Sequence, residues 1–268
     1  VPPRRRSIIR ISVPSVELIL PVFQKASLAP MVVPEVARWL ARHPAACAVF
    51  VDDGSRDGTP EAIERACQGC SEAPIRLHRS PHNRGKGAVV REAMLASRAE
   101  IICFTDGDLA YSLDHVDRLI EALERPGVDV AIGSRALVTD GVPRPSWRRR
   151  LSGWIFNLAA RMVLRLPYSD TQAGLKGFRA PAAKRIFARS RVDGFAFDAE
   201  LLYLAQREQL RIVEIPARVA PEHAAAGSSV SLLVDPWRMF AALLRVRRLH
   251  RAHEPAPTAP VPGARSAP

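Results

Sequence analysis

From Glu17 onward, short runs of β-branched and apolar residues alternate with stretches whose apolar positions recur every three or four residues. A short continuous apolar run reads as a strand covered on both faces, and three-and-four spacing reads as an amphipathic helix. The pattern predicts strands at Glu17–Val22, Ala48–Val51, Ile75–His78, Ile101–Phe104 and Val128–Ile132, with a later one at Ile212–Ile215. Between the first five it predicts helices around Val33–Ala41, Pro60–Ala66, Ala88–Ala96 and Leu113–Leu123. Thr59-Pro60 marks a helix start, with threonine as the cap and proline at the first helical position. Alternating strands and helices imply an α/β fold: a mostly parallel sheet flanked by helices, in a single domain. No internal repeat interrupts the pattern.

Composition changes the picture at the ends. Residues 1–15, opening Val1-Pro-Pro-Arg-Arg-Arg6, read as a basic flexible arm, and 253–268 as a disordered Pro/Ala tail. Residues 16–235 read as the folded domain, followed by a basic amphipathic helix at 236–252. With 47% apolar residues, wholesale disorder is excluded. The formal net charge of +12 predicts an anionic partner: nucleic acid, a phosphorylated small molecule or a membrane surface.

The first residues show no secretory signal, and no apolar run is long enough to span a bilayer, so the expectation is a cytoplasmic chain that is soluble or peripheral on the membrane. Cys67-Gln-Gly-Cys70 lacks a second pair at zinc-site spacing, so Cys47, Cys67, Cys70 and Cys103 are expected as free thiols. Trp147–Leu166 and Trp237–Arg251 mix arginines with Trp, Phe and Leu. Each suits an interfacial helix on anionic lipid, or equally a core-facing or dimer helix with a solvated basic face.

The chemistry-bearing residues follow the strands. Asp52-Asp-Gly-Ser-Arg-Asp-Gly-Thr59 comes after the second strand, Asn83-Arg-Gly-Lys-Gly87 after the third, Asp106-Gly-Asp108 after the fourth and Gly133-Ser-Arg135 after the fifth. In an open α/β sheet ligands bind at the carboxyl ends of the strands, so four clusters should share one edge. Asp106 and Asp108 offer hard oxygens to Mg2+ or Mn2+, which bridge substrate phosphates. Asn83–Gly87 opens a helix, where free N–H groups and close backbone approach favour an anion. It lacks P-loop spacing.

Together with Asp170-Thr-Gln-Ala-Gly-Leu-Lys-Gly-Phe178, these motifs make the chain resemble the family 2 glycosyltransferases over residues 17 to 235. The Asp170–Phe178 block and Phe197-Asp-Ala-Glu-Leu-Leu202 are most similar to the dolichyl-phosphate glucosyltransferase and mannose synthase branch. The resemblance implies a Rossmann-like GT-A fold. It also implies an inverting, metal-dependent transfer of a hexose from UDP-glucose or GDP-mannose to a polyprenyl or dolichyl phosphate. Two alternatives stay open: transfer to a soluble hydroxyl or glycan acceptor, and a catalytically silent basic binding module.

Residue by residue, the resemblance implies that Asp52 contacts the nucleotide base. Asp53 and Lys86 then lie at the nucleotide end of the donor, and Asp106 with Asp108 holds Mg2+ or Mn2+ on the diphosphate. Arg135, Arg148 and Ser152 receive the acceptor phosphate, Gln172 and Lys176 line the sugar and acceptor pocket, and Asp198 and Glu200 stand beside the reaction centre. The implied partners are a nucleotide sugar, a lipid phosphate and a membrane surface. Nucleic acid is not expected, since no aromatic RNA-binding motif occurs. Two positions depart from the pattern: Gln24-Lys25 stands where the family usually has Asn-Glu, and Gly227-Ser-Ser229 where the branch often has Gly-Ser-Lys, leaving His223 or Arg238 as substitute cations.

Overall fold

A computed structural model describes residues 15–138, 147–194, 196–220 and 236–251, with backbone alone for 147–154 and 236–239. The expected arm and tail, apart from Ser15, therefore lie outside the described residues. So do Gly227–Ser229, His223 and the side chains of Arg148, Ser152 and Arg238.

Seven strands form one sheet: β1 (Val16–Val22), β2 (Ala46–Asp52), β3 (Ile75–Arg79), β4 (Ile101–Thr105), β5 (Val130–Ser134), β6 (Leu175–Arg179) and β7 (Ile212–Pro216), in the order β3-β2-β1-β4-β6-β5-β7. β1, β4 and β5 are buried throughout or nearly so, which is why they are written as continuous apolar runs. Helices α1 (Ala29–Arg42), α2 (Thr59–Gln68) and α4 (Leu113–Glu124) cover one face. The other face carries α3 (Lys86–Ala96), α5 (Trp147–Leu164), α6 (Ala180–Arg189), α7 (Phe197–Arg207) and α8 (Pro236–His250). Val33, Val36 and Trp39 of α1, with Val116 and Leu119 of α4, fill the first layer. Phe104, Phe178, Phe187 and Phe197 fill the second.

β6 was not among the predicted strands, and it alone runs against the other six. Lys176 and Gly177 interrupt its apolar run. Gly177 is required because a Cβ there would sit 2.9 Å from Leu123 Cδ1 and 3.0 Å from Cys103 Sγ. The reversal matters for function. An antiparallel strand brings its leading loop, 168–174, to the edge where the parallel strands end, opposite Thr105 of β4.

The two basic amphipathic stretches do form helices, and α5 and α8 pack on each other. Phe156, Ala160, Leu164, Leu243 and Val246 are buried in the second layer, so part of each helix serves the core. Among the described residues no helix is long and apolar enough to cross a membrane. All four cysteines are free thiols.

Candidate active site

The loop after β1 is strapped to the loop after β2. The backbone N–H groups of Gln24, Lys25 and Ala26 donate to Ser55 Oγ (2.8 Å), Thr59 Oγ1 (2.8 Å) and Asp57 Oδ2 (3.1 Å). The start of α2 differs from expectation: Gly58, at φ 82°, is the cap residue, and Thr59 is already helical. Asp57 Oδ1 accepts the Thr59 N–H at 3.0 Å, so an aspartate two residues upstream satisfies the exposed donor. The threonine hydroxyl donates to the same Asp57 Oδ1 at 2.5 Å and accepts the Lys25 N–H.

Asp52 and Asp53 are both buried but are used differently. Asp52 Oδ2 accepts the Ser55 N–H at 3.0 Å, while its Oδ1 is buried without a partner. An unmatched buried carboxylate oxygen is costly unless a ligand donor completes it. Asp53 spends both oxygens on the loop after β3, accepting from Arg84 N (2.7 Å) and Gly85 N (2.9 Å). Gly85, at φ 96°, is a position where any Cβ would fall 2.5 Å from the Asp193 carbonyl oxygen.

That loop delivers Lys86 into the first turn of α3, with its Nζ 2.5 Å from Asp106 Oδ1 and over the Phe104 and Phe197 rings, 5.7 and 5.8 Å from their centroids. Burial opposes the ammonium charge, but the Asp106 and Asp198 carboxylates more than offset it, and the Lys86 pKa is raised. Asp106 is packed so closely under Gly174 that a Cβ at 174 would strike its carboxylate. Asp108 Oδ1 accepts the Ala110 N–H at 3.2 Å, and its Oδ2 lies 3.7 Å from Lys25 Nζ.

Lys176, from the middle of β6, is fully buried. Its Nζ donates to Ala173 O (2.5 Å) and to Asp198 Oδ1 (2.6 Å), so the lysine holds the α7 aspartate rather than standing open to solvent. Glu200 is placed away from the cleft. It is fully buried, and its two oxygens accept the Arg191 and Val192 N–H groups (2.9 and 3.0 Å) while His250 Nε2 lies 2.7 Å away. Two turns of spacing along α7 do not separate Asp198 from Glu200. They are two residues apart, and that rotates the second carboxylate toward α8. Glu200 fastens α8 to the domain.

Arg135 leaves β5 and grips Asp170 with its backbone N–H (3.1 Å), Nε (2.6 Å) and Nη2 (2.9 Å). Burial alone would raise the Asp170 pKa, but the guanidinium overrides it and holds the carboxyl at about 2. About half of the Arg135 side chain stays exposed beside this pair (49%). Asn157 of α5 braces the same loop, donating to Ser169 O (2.8 Å) and accepting from Thr171 N (3.1 Å) and Thr171 Oγ1 (2.9 Å). Glu214 of β7 accepts the Ser169 N–H at 3.0 Å. Gln172 is half-buried, and its N–H caps Asp170 at 3.0 Å. Sequence reasoning gave no role to Asp170, Asn157 or Glu214. An asparagine inside the apolar run Trp154-Ile-Phe-Asn-Leu158 was the available signal.

The family model described as "Glycosyl transferase family 2" matches residues 18–187. The chain belongs to glycosyl transferase family 2. Curated family relatives include the dolichyl-phosphate beta-glucosyltransferases of Saccharomyces cerevisiae, 33% identical over 74% of this chain and 63% of that protein, and of Homo sapiens, 35% identical over 62% and 53%. The chain thus spans between half and two thirds of the length of these relatives. Among solved structures, M. tuberculosis glucosyl-3-phosphoglycerate synthase superposes with a TM-score of 0.61 at 17% identity, covering 91% of this chain and 82% of that one. The fold is GT-A. The same M. tuberculosis synthase has also been solved with Mn2+, UDP and phosphoglyceric acid.

For a family 2 chain, the donor set at Asp106 and Asp108 fits a hard divalent ion. Two carboxylates with lone pairs to spare are the usual protein share when substrate phosphates complete the shell. Among the described residues no group of three or more acidic, histidine or cysteine side chains stands close enough to hold a metal ion.

Proposed function

We propose that this chain transfers glucose from UDP-glucose to the phosphate of a dolichyl-type polyprenyl lipid, with inversion at the anomeric carbon. The observation that carries the reading is the pairing of two charge systems on one cleft edge. Lys86 with Asp106 stands at the end of β4, and the half-exposed Arg135 guanidinium, fixed by Asp170, at the end of β5. The first suits a diphosphate, and the second a phosphate monoester. The names of the curated relatives support glucose and dolichyl phosphate as the pair.

In this reading Asp52 Oδ1 accepts an N–H of the base, the one donor its buried oxygen lacks. Lys86 neutralises charge gathering on the departing nucleoside diphosphate. Asp106 and Asp108 would hold a Mg2+ or Mn2+ ion, which would supply Lewis-acid stabilisation of the same leaving group. The acceptor phosphate, with a second pKa near ~6, is largely anionic at neutral pH and attacks without losing a proton to the protein. Asp198, held in place by its hydrogen bond from Lys176, stabilises the oxocarbenium-like centre rather than acting as a base. Arg148 and Ser152, ahead of the acceptor loop on α5, extend the phosphate site, and Gln172 contributes its free amide.

Membrane attachment through α5 and α8 belongs to the same reading. Ile155, Leu158, Met162, Phe240 and Leu249 are exposed, interleaved with exposed Arg161, Arg165, Arg245 and Arg248. Apolar side chains among arginines suit the headgroup region of an anionic bilayer, where a polyprenyl acceptor resides. The test is incubation with UDP-glucose, dolichyl phosphate and Mn2+, with GDP-mannose in parallel, and mass detection of the lipid product. Glucosylated lipid phosphate is expected from UDP-glucose. Turnover with soluble hydroxyl acceptors alone, or no nucleotide-sugar turnover at all, overturns the proposal.

A further inference from the structure

We propose that Lys25 is a donor-recognition residue, a tethered cation that takes up part of the diphosphate charge and lets a nucleoside diphosphate bind before any divalent ion. The inference rests on the donor reading above and deepens it. Lys25 has a fixed base and a free end. Its backbone N–H is anchored to Thr59 Oγ1 at 2.8 Å, whereas its side chain is 36% exposed and its Nζ reaches Asp108 Oδ2 only at 3.7 Å. A long, exposed ion pair of this kind contributes little, so the ammonium leaves Asp108 at small cost.

Charge counting shows why this matters. Asp106 and Asp108 face Lys86 and Lys25, two carboxylates against two ammonium groups, so these four charges cancel before anything binds. A glutamate at 25 would leave the same four positions with a net charge of two negatives. A donor diphosphate is itself anionic and would then be repelled until a divalent ion compensated. With Lys25 the repulsion is absent. As the ammonium swings onto the diphosphate, it also releases Asp108 Oδ2, making that oxygen available to the metal. Lys25 therefore acts on donor affinity and on the order of binding.

The experiment is calorimetric titration of UDP into the full chain, Lys25→Ala, Lys25→Glu and Lys25→Arg, each in EDTA and again in Mn2+. Mn2+ binding to the nucleotide-free proteins is followed by electron paramagnetic resonance. In EDTA the native chain and Lys25→Arg should bind UDP, Lys25→Ala about tenfold more weakly, and Lys25→Glu about a hundredfold more weakly, roughly a factor of ten per unit of charge. In Mn2+ these gaps should narrow, and nucleotide-free Lys25→Glu should bind Mn2+ more tightly than the native chain. Melting curves check that the variants fold, and the alanine and arginine variants carry the test if the glutamate does not. UDP binding that requires Mn2+ in the native chain, or that is equal across all four proteins in EDTA, overturns the role of Lys25 and leaves the donor reading standing. No UDP binding in either condition overturns both.

Discussion

Replacing Lys176 by methionine tests whether the buried pair organises the cleft. The substitution keeps length and apolar bulk but removes the cation from a site with no solvent exposure. Asp198 Oδ1, now 2.6 Å from the ammonium, and Ala173 O, at 2.5 Å, both lose their donor. Breaking a buried pair by removing one partner costs about 3–5 kcal/mol. Asp198 keeps slight contact with solvent (7% exposed), so water can partly replace the lost donor and the lower end applies. We expect about 3 kcal/mol, which for a domain of this size lowers the melting temperature by about 6–12 °C. The companion variant Lys176→Met/Asp198→Asn removes both charges and should recover about 1–3 kcal/mol of the loss. Urea unfolding of the native chain, both singles and the double gives the coupling directly. A single variant within about 1 kcal/mol of native, or a double as unstable as the two singles summed, would refute the reasoning.

Other consequences are equally open to measurement. Asp52→Asn, which keeps an oxygen for the Ser55 N–H but puts an N–H donor where Oδ1 stood, should weaken UDP binding in calorimetry by about tenfold or more with little change in melting temperature. Gly174→Ala should abolish donor binding, since its methyl group must displace the Asp106 carboxylate. The Asp170 pKa of about 2 lies below the ordinary value near ~3.9, so its stabilising share is present above about pH 4 and is lost as pH falls through about 2. The melting-temperature gap between native and Asp170→Asn should accordingly shrink from pH 5 to pH 2, and a constant gap would contradict it. Met162→Glu with Phe240→Glu should lower sedimentation with anionic vesicles while leaving UDP binding intact.

Much of the fold was legible because β1, β2, β4 and β5 are mainly apolar runs of ordinary length, and periodicity reports buried faces well. β6 escaped because its centre, Lys176-Gly177, is written for the site and for packing against Leu123 and Cys103, and neither residue favours a strand. Its direction was also invisible, since residue spacing carries no information on which way a strand runs. The four polar clusters were legible as one edge because parallel strands must end together. The fifth, at Asp170, reaches that edge only through the reversal of β6. Glu200 was misread for a related reason. Sequence places it two residues from Asp198, but on a helix that spacing turns a side chain by more than half the circumference, here into the contact with His250.

A motif records residue types, whereas the state of their lone pairs decides what they can do. Asp53, Asp170 and Glu200 have both carboxylate oxygens engaged by the protein, two backbone N–H groups in the first case, a guanidinium and backbone in the second, and two N–H groups with a histidine in the third. To turn either oxygen of Asp53 toward a ligand would break its hydrogen bond to the Arg84 or Gly85 N–H, and a new hydrogen bond, at about 0.5–1.5 kcal/mol, would at best replace it. Asp52, Asp106 and Asp108 instead keep an oxygen without a partner or hold one against a lysine that can be displaced. These six acidic residues therefore fall into two physical sets, one that fixes the loops and one that is free to bind. Only the second can respond to a phosphate or a divalent ion, and its members all lie where β2 and β4 end.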